Sequence, residues 1–175
     1  MLDKILNYSD VFLCLGGNIG DTKKVLTRGL DEISENKDIE LIKTSMFYKT
    51  SPVSDIPQRY YINCACHIKT CLNAKNLLKT LQKTEKNLGK TPKDKQNPRI
   101  IDIDIIFFGN KRIMTKELII PHKEWKNRLF VLKPLSDLQN LFLVPDANNK
   151  LIYFDIHEYL KNFENTNNEK VTIIS

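Results

Sequence analysis

Asp102 and Asp104 stand two residues apart in Arg99-Ile-Ile-Asp-Ile-Asp-Ile-Ile-Phe-Phe108, where every other residue after Arg99 is aliphatic or aromatic. Such a run of β-branched and aromatic residues predicts a buried strand. Alternation then puts both carboxylates on one face, with Ile101, Ile103, Ile105 and Phe107 on the other. Their Cα atoms would lie roughly 7 Å apart, so the two charges repel each other and resist leaving water. A divalent cation between them removes both objections, and Arg99 next door suits a polyanion. Ile106 and Phe108, expected on the aspartates' face, argue against a fully solvated surface.

Other groups have the types and spacing for binding. Tyr61 and Asn63 share one face of a strand whose other face carries Ile62, Cys64, Cys66 and Ile68. A phenol ring beside an amide makes a floor for a flat heterocycle, by stacking and paired hydrogen bonds, although an ordinary amphipathic strand explains the pattern too. Gly16, Gly17 and Gly20 mark a turn between strand and helix that lacks the ending of a Walker loop and the spacing of a dinucleotide fingerprint. Gln82 and Glu85, three apart on a helix, can receive a ligand hydroxyl or face solvent. From Pro121 to Arg128 a histidine, His122, gathers with Lys123, Lys126 and Arg128, a set that suits phosphate. Cys64, Cys66, His67 and Cys71 do not make a zinc site, because alternation sends His67 to the face opposite Cys64 and Cys66.

The elements that must position these groups follow from periodicity. Strands are expected at Asp10–Leu15, Ile39–Tyr48, Tyr61–Thr70 and around Asp102 and Asp104. A helix capped by Asp21 or Thr22 carries Leu26, Leu30 and Ile33; another, capped by Asn73 and stopped by Gly89, carries Leu77, Leu78, Leu81 and Leu88. The order β-α-β-β-α-β is that of a ferredoxin-like α/β (α+β) fold, an antiparallel sheet with helices packed on one face. Partial helix is expected in Phe130–Leu138 and a last strand and helix in Leu151–Leu160. One domain is expected over residues 1–162, with a polar tail over 163–175 and a loose stretch from Asn162 to Lys170.

Composition narrows the classes. No apolar run approaches the roughly 20 residues of a membrane span, and the N-terminal residues do not read as a signal peptide. Four cysteines fit a reducing compartment, so a cytoplasmic protein is expected. Net charge +6 favours an anionic partner without naming it. An RNA-binding module would need exposed aromatics on its central strands, and two carboxylates there would repel phosphate; no nucleic-acid partner is expected. A nicotinamide-dependent oxidoreductase finds no matching parallel βαβ pattern after the first helix.

Four blocks, in order, resemble the 6-hydroxymethyl-7,8-dihydropterin pyrophosphokinase family: Leu15–Gly20, Phe47–Val53 with Tyr61–Asn63, Asn97–Gly109 and Ile120–Leu135. The resemblance implies transfer of a pyrophosphoryl group from ATP to the pterin hydroxymethyl oxygen, with release of AMP, in folate biosynthesis. It implies that Asp102, Asp104, Arg99 and His122 carry the chemistry, with Asp102 and Asp104 holding two Mg²⁺ ions. Thr50, Pro52, Val53 and Asn63 would bind the pterin, with Tyr61 and Phe130 sandwiching its ring. Gln82, Glu85, Arg99, Ile105, His122 and Arg128 would lie on the ATP side. Association or fusion with a neighbouring folate-pathway enzyme would also fit the family.

The chain departs from the family pattern in places. Gly17 stands where serine is common, and Lys123 where an aromatic is frequent. Glu117 replaces a frequent phosphate-binding arginine and carries no role over. Lys90, Lys93 and Lys95 occupy a loop where arginines are usual, and lysine lacks their planar fork.

Overall fold

The computed structural model describes residues 8–52, 58–91, 98–166 and 168–174. Its first part runs β1 (Ser9–Gly17), α1 (Thr22–Ser34), β2 (Ile39–Thr44), β3 (Phe47–Thr50), β4 (Tyr61–Thr70), α2 (Ala74–Asn87) and β5 (Asp102–Phe108). The caps are the expected ones: Asp21 accepts from the Lys24 amide and Asn73 from that of Asn76. β4 has the expected bounds. The stretch expected as one strand from Ile39 to Tyr48 is two, because Ser45 breaks the ladder. Its amide donates to the Ala65 carbonyl, but the Ala65 amide donates to Ser45 Oγ instead of to a backbone oxygen.

The second part adds a layer over the other face of the sheet, a short ribbon on the helix side and a last strand at the sheet's edge. It comprises β6 (Ile113–Met114), β7 (Ile119–Ile120), a 3₁₀ turn (Trp125–Asn127), α3 (Leu129–Ser136), β8 (Leu141–Pro145), β9 (Leu151–Asp155), α4 (Ile156–Lys161) and β10 (Val171–Ile174). The main sheet has the order β10-β3-β4-β1-β5, with β2 also on β4, and its pairings are antiparallel. Leu13, Leu15, Cys64, Cys66, Ile103 and Ile105 pack against Leu26, Leu30, Leu77 and Leu81 of α1 and α2. Phe12, Ala65, Ile106 and Phe107 pack on the opposite face against Trp125, Val131, Leu135, Phe142 and Phe154. Helices on one face alone is therefore corrected: α3 and the β8–β9 hairpin close the second face, because the chain after Trp125 is apolar enough to need burial itself. No helix among the described residues is long and apolar enough to cross a membrane.

Two local expectations are also corrected. β1 pairs Leu13 with Ile105 and Phe12 with Phe107, leaving Ile106 as an extra residue, a β-bulge. The bulge turns Phe107 onto the aspartates' face and Phe108 onto the helix face, reversing the simple alternation. The polar stretch before Lys170 is not loose at its end: Glu169 is buried, and Val171–Ile174 pairs with β3. Val-Thr-Ile-Ile is a strand-forming run, and the open edge of β3 gives it a partner.

Candidate active site

Neighbouring strands set the two carboxylates side by side: Asp102 lies opposite Gly16, and Asp104 opposite Cys14. Both side chains stand clear of the bulge, so the expected shared face holds for them. Asp102 is held by cations on both oxygens, Lys90 Nζ at 2.8 Å from Oδ1 and Arg99 Nη1 on Oδ2. Lys90 also lies 2.8 Å from Oε1 of Glu85. That same Glu85 oxygen accepts the Ile103 amide at 2.7 Å, which ties α2 to the strand between the two aspartates. Burial raises the Glu85 carboxyl pKa, and Lys90 and the Ile103 amide only partly offset it. Burial also pulls on the Lys90 ammonium and the Arg99 guanidinium, yet the carboxylates beside them hold both above their ordinary values.

Asp104 is open to solvent but lies deep in a cleft, and burial of the carboxyl raises its pKa against the pull of His122, Arg128 and Lys90. His122 moves the other way, lowered by burial and by Arg128 while Asp104 opposes. Its backbone amide donates to the Ile106 carbonyl at 3.0 Å, fixing the loop to β5. The donor set at Asp102 and Asp104 is oxygen only, which suits a hard cation such as Mg²⁺ that keeps water and phosphate as its other ligands. Such a cation would displace Lys90 or Arg99 from an Asp102 oxygen, exchanging one positive charge for another.

The opposite flank is neutral. Asn63 is buried, and its Nδ2 donates to Thr50 Oγ1 at 2.8 Å. Gly16 faces it across the ladder, and a Cβ there would meet Asn63 Oδ1 at 2.2 Å. A Cβ on Gly17 would meet the Ile100 carbonyl oxygen at 2.2 Å, so a serine there would need the backbone to shift. Tyr61 donates to Gln58 Oε1 at 2.7 Å and has the Arg99 guanidinium 6.0 Å from its ring centroid. Arg128 stands over Phe130 in the same way, at 5.6 Å.

Placement of the remaining expected residues is mixed. Pro52 is half-buried after β3, while Val53, Lys93 and Lys95 lie outside the described residues. Gln82 is exposed on α2 and Glu117 is exposed before β7. The Ile105 side chain is buried in the helix-side core, on the face away from the aspartates, so it meets no cleft ligand through its side chain. Lys126 is turned aside onto the Trp125 and Phe154 rings, at 5.3 and 5.2 Å. His122 also lines a recess of about 390 Å³, together with Arg112, Met114, Lys123 and Trp125 among others. Cys64 and Cys66 are buried on the helix face, whereas His67 stacks on Phe12 with centroids 4.6 Å apart.

Asn18 is the residue that sequence reasoning passed over. Its Oδ1 accepts the Arg99 amide at 2.8 Å, its own amide donates to the Arg99 carbonyl at 2.9 Å, and Nδ2 reaches Gln58 at 3.3 Å. An asparagine inside the glycine-rich turn Gly16–Gly20 was the one signal the sequence offered. One side chain thus joins the cationic and neutral flanks.

A family model described as 7,8-dihydro-6-hydroxymethylpterin-pyrophosphokinase matches residues 12–140. The chain is 37% identical over 127 residues to the 2-amino-4-hydroxy-6-hydroxymethyldihydropteridine pyrophosphokinase of Bacillus subtilis, covering 73% of this chain and 76% of that protein. It is 41% identical over 127 residues to the bifunctional protein FolKE of Lactococcus lactis subsp. cremoris, covering 73% of this chain but only 36% of that protein. Among solved structures, wild-type HPPK-DHPS of Plasmodium falciparum aligns with a TM-score of 0.66 at 16% identity, over 93% of this chain and 44% of that one. The chain therefore spans about a third of the lactococcal relative and under half of the plasmodial one.

Proposed function

Because this chain belongs to the 7,8-dihydro-6-hydroxymethylpterin-pyrophosphokinase family, we propose that it transfers pyrophosphate from ATP to the hydroxymethyl group of 6-hydroxymethyl-7,8-dihydropterin and releases AMP. The observation that carries the reading is one cleft with two unlike flanks. A neutral flank of Asn63 and Thr50 suits the heterocycle, and a charged flank of Asp102, Asp104, Arg99 and Arg128 suits the triphosphate. Mg²⁺, two ions by family resemblance, would be held by Asp102 and Asp104 and would neutralise phosphate charge and acidify the hydroxymethyl oxygen.

The chain's own residues then have distinct tasks. Asn63 and Thr50 orient the pterin edge, with Tyr61 and Phe130 on either side of the ring. Arg99, His122 and Arg128 face phosphate oxygens, where charge-assisted hydrogen bonds are strongest. Glu85 acts at one remove, by fixing the Ile103 amide and Lys90. Ile105 offers ATP only its backbone, and Gln82 sits one turn along α2 at the rim. Little covalent work falls to the protein; positioning and charge neutralisation dominate such transfers. We further propose a cytoplasmic setting and work beside, or fused to, a neighbouring folate-pathway enzyme, as the bifunctional name of the lactococcal relative suggests.

Incubation with Mg·ATP and 6-hydroxymethyl-7,8-dihydropterin tests the reading. AMP and the pterin diphosphate are the expected products. Release of ADP, or no pterin-dependent nucleotide turnover, overturns it.

A further inference from the structure

Glu169 lies well beyond residue 140, where the family match ends. It stands in a polar stretch that would ordinarily leave a carboxylate in water, yet only 4% of its surface is exposed. Burial of a charge requires partners. Oε2 accepts the amide of Phe130 at 3.2 Å, in the first turn of α3, where the N-cap residue Arg128 supplies no side-chain cap. A carboxylate there satisfies an otherwise orphaned donor and suits the positive end of the helix. The Glu169 backbone is itself clamped: Asn165 Oδ1 accepts its amide and Asn165 Nδ2 donates to its carbonyl, both at 2.8 Å.

The next residues tie the same segment to the other wall of the cleft. Lys170 donates its amide to Ser51 Oγ and accepts the Ser51 amide on its carbonyl, both at 2.9 Å. Val171 then pairs with Thr50, whose hydroxyl holds Asn63. The short run from Glu169 to Val171 therefore connects Phe130 on one side of the neutral flank to Thr50 and Ser51 on the other.

We propose that Glu169 is a positioning residue for the pterin, setting Phe130 at a fixed distance from the Thr50–Asn63 wall so that the ring enters a preformed slot. The proposal rests on the function proposed above and assigns a task to a part of the chain outside the family match. Glu169 Oε1 has no hydrogen-bond partner, so a neutral amide at this position keeps the one side-chain bond to Phe130.

Steady-state kinetics of Glu169→Ala and Glu169→Gln, with NMR exchange of the Phe130 amide proton, test it. Glu169→Ala should raise KM for the pterin roughly three- to tenfold, the order of one lost hydrogen bond, and leave KM for ATP within about twofold. Glu169→Gln should restore both constants to near wild type. Phe130 amide exchange should quicken in the alanine variant only. If Glu169→Ala does not fold, Ser51→Ala, which removes the acceptor for the Lys170 amide, should raise the pterin KM by a smaller factor with the same ATP independence. Equal changes in both KM values, no change in the pterin KM, or a glutamine variant as impaired as alanine would overturn the proposal. Absence of any wild-type turnover with this pterin would instead overturn the function, while the amide exchange would still report on the brace.

Discussion

The neutral and charged flanks of the cleft are built by opposite means. On the neutral flank, Asn63 and Thr50 are buried and bonded to each other, and Gly16 is bare because Asn63 fills its Cβ position. Neutral hydrogen bonds cost little to hold ready, so this side can be finished before any ligand arrives. On the charged flank, Asp102 holds Lys90 on one oxygen and Arg99 on the other while Asp104 stays open to solvent. Concentrated charge cannot be stored unpaired, and the protein stores it as ion pairs that phosphate and metal can exchange. The difference predicts that changes on the charged flank act on turnover and ATP binding, and changes on the neutral flank on pterin binding.

Removing a carboxylate gives the largest effect. Asp104→Ala and Asp102→Ala should each remain folded, by circular dichroism, and lose turnover by about a thousandfold or more, since neutralising phosphate charge does most to lower the barrier. Near-normal turnover at saturating Mg²⁺ in either variant would dissolve the distinction between the flanks. Gly16→Ala comes next. Its Cβ would lie 2.2 Å from Asn63 Oδ1, so the amide must move. Overpacking of this kind costs about 1–3 kcal/mol, and pterin affinity should fall by roughly a hundredfold while ATP affinity, by calorimetry, holds.

How much of this was legible in the sequence depends on how local each determinant is. The Asp102 and Asp104 pair, the β4 bounds and the Asp21 and Asn73 caps follow from neighbours along the chain, and each stands as expected. The bulge at Ile106 does not, because the residues from Ile103 to Phe107 are all apolar apart from Asp104 and any register suits them. Nor do the second layer over the sheet and β10, whose partners are separated from them by long stretches of chain. Asn18 and Glu169 belong to the same class: nothing near Asn18 in sequence foretells Arg99, 81 residues away. Glu85 was visible as a polar residue among leucines, but its bond to the Ile103 amide required the fold.

Asn63→Ala separates binding from architecture on the neutral flank. The truncation strands the Thr50 hydroxyl and removes the amide that meets the heterocycle, a loss of about 1–3 kcal/mol. Pterin affinity should fall roughly 10- to 100-fold with turnover at saturation little changed. A variant that lost turnover but bound pterin normally would place Asn63 with the charged flank.

Lys90→Ala is the smallest change in activity and the sharpest test of the stored ion pairs. Lys90 bridges Glu85 and Asp102 at 2.8 Å each, and Asp102 retains Arg99 when it goes. ATP binding should therefore weaken only severalfold, because one exchangeable cation is lost from a set of several. Glu85 has less to fall back on. Its pKa is already raised by burial against the pull of Lys90, and the variant should raise it further. A carboxyl whose folded pKa lies above its unfolded value favours the folded state below the unfolded pKa, and that advantage is lost as pH rises through the folded pKa. Lys90→Ala should thus melt below wild type near neutral pH by the order of 1–3 kcal/mol, the cost of a poorly partnered buried group. The gap should close as the solution is acidified and Glu85 takes up a proton. A gap that stayed constant or widened on acidification would mean that Lys90 does not stabilise the fold through the buried Glu85 carboxylate, and that the tie between the charged flank and α2 rests on the Ile103 amide alone.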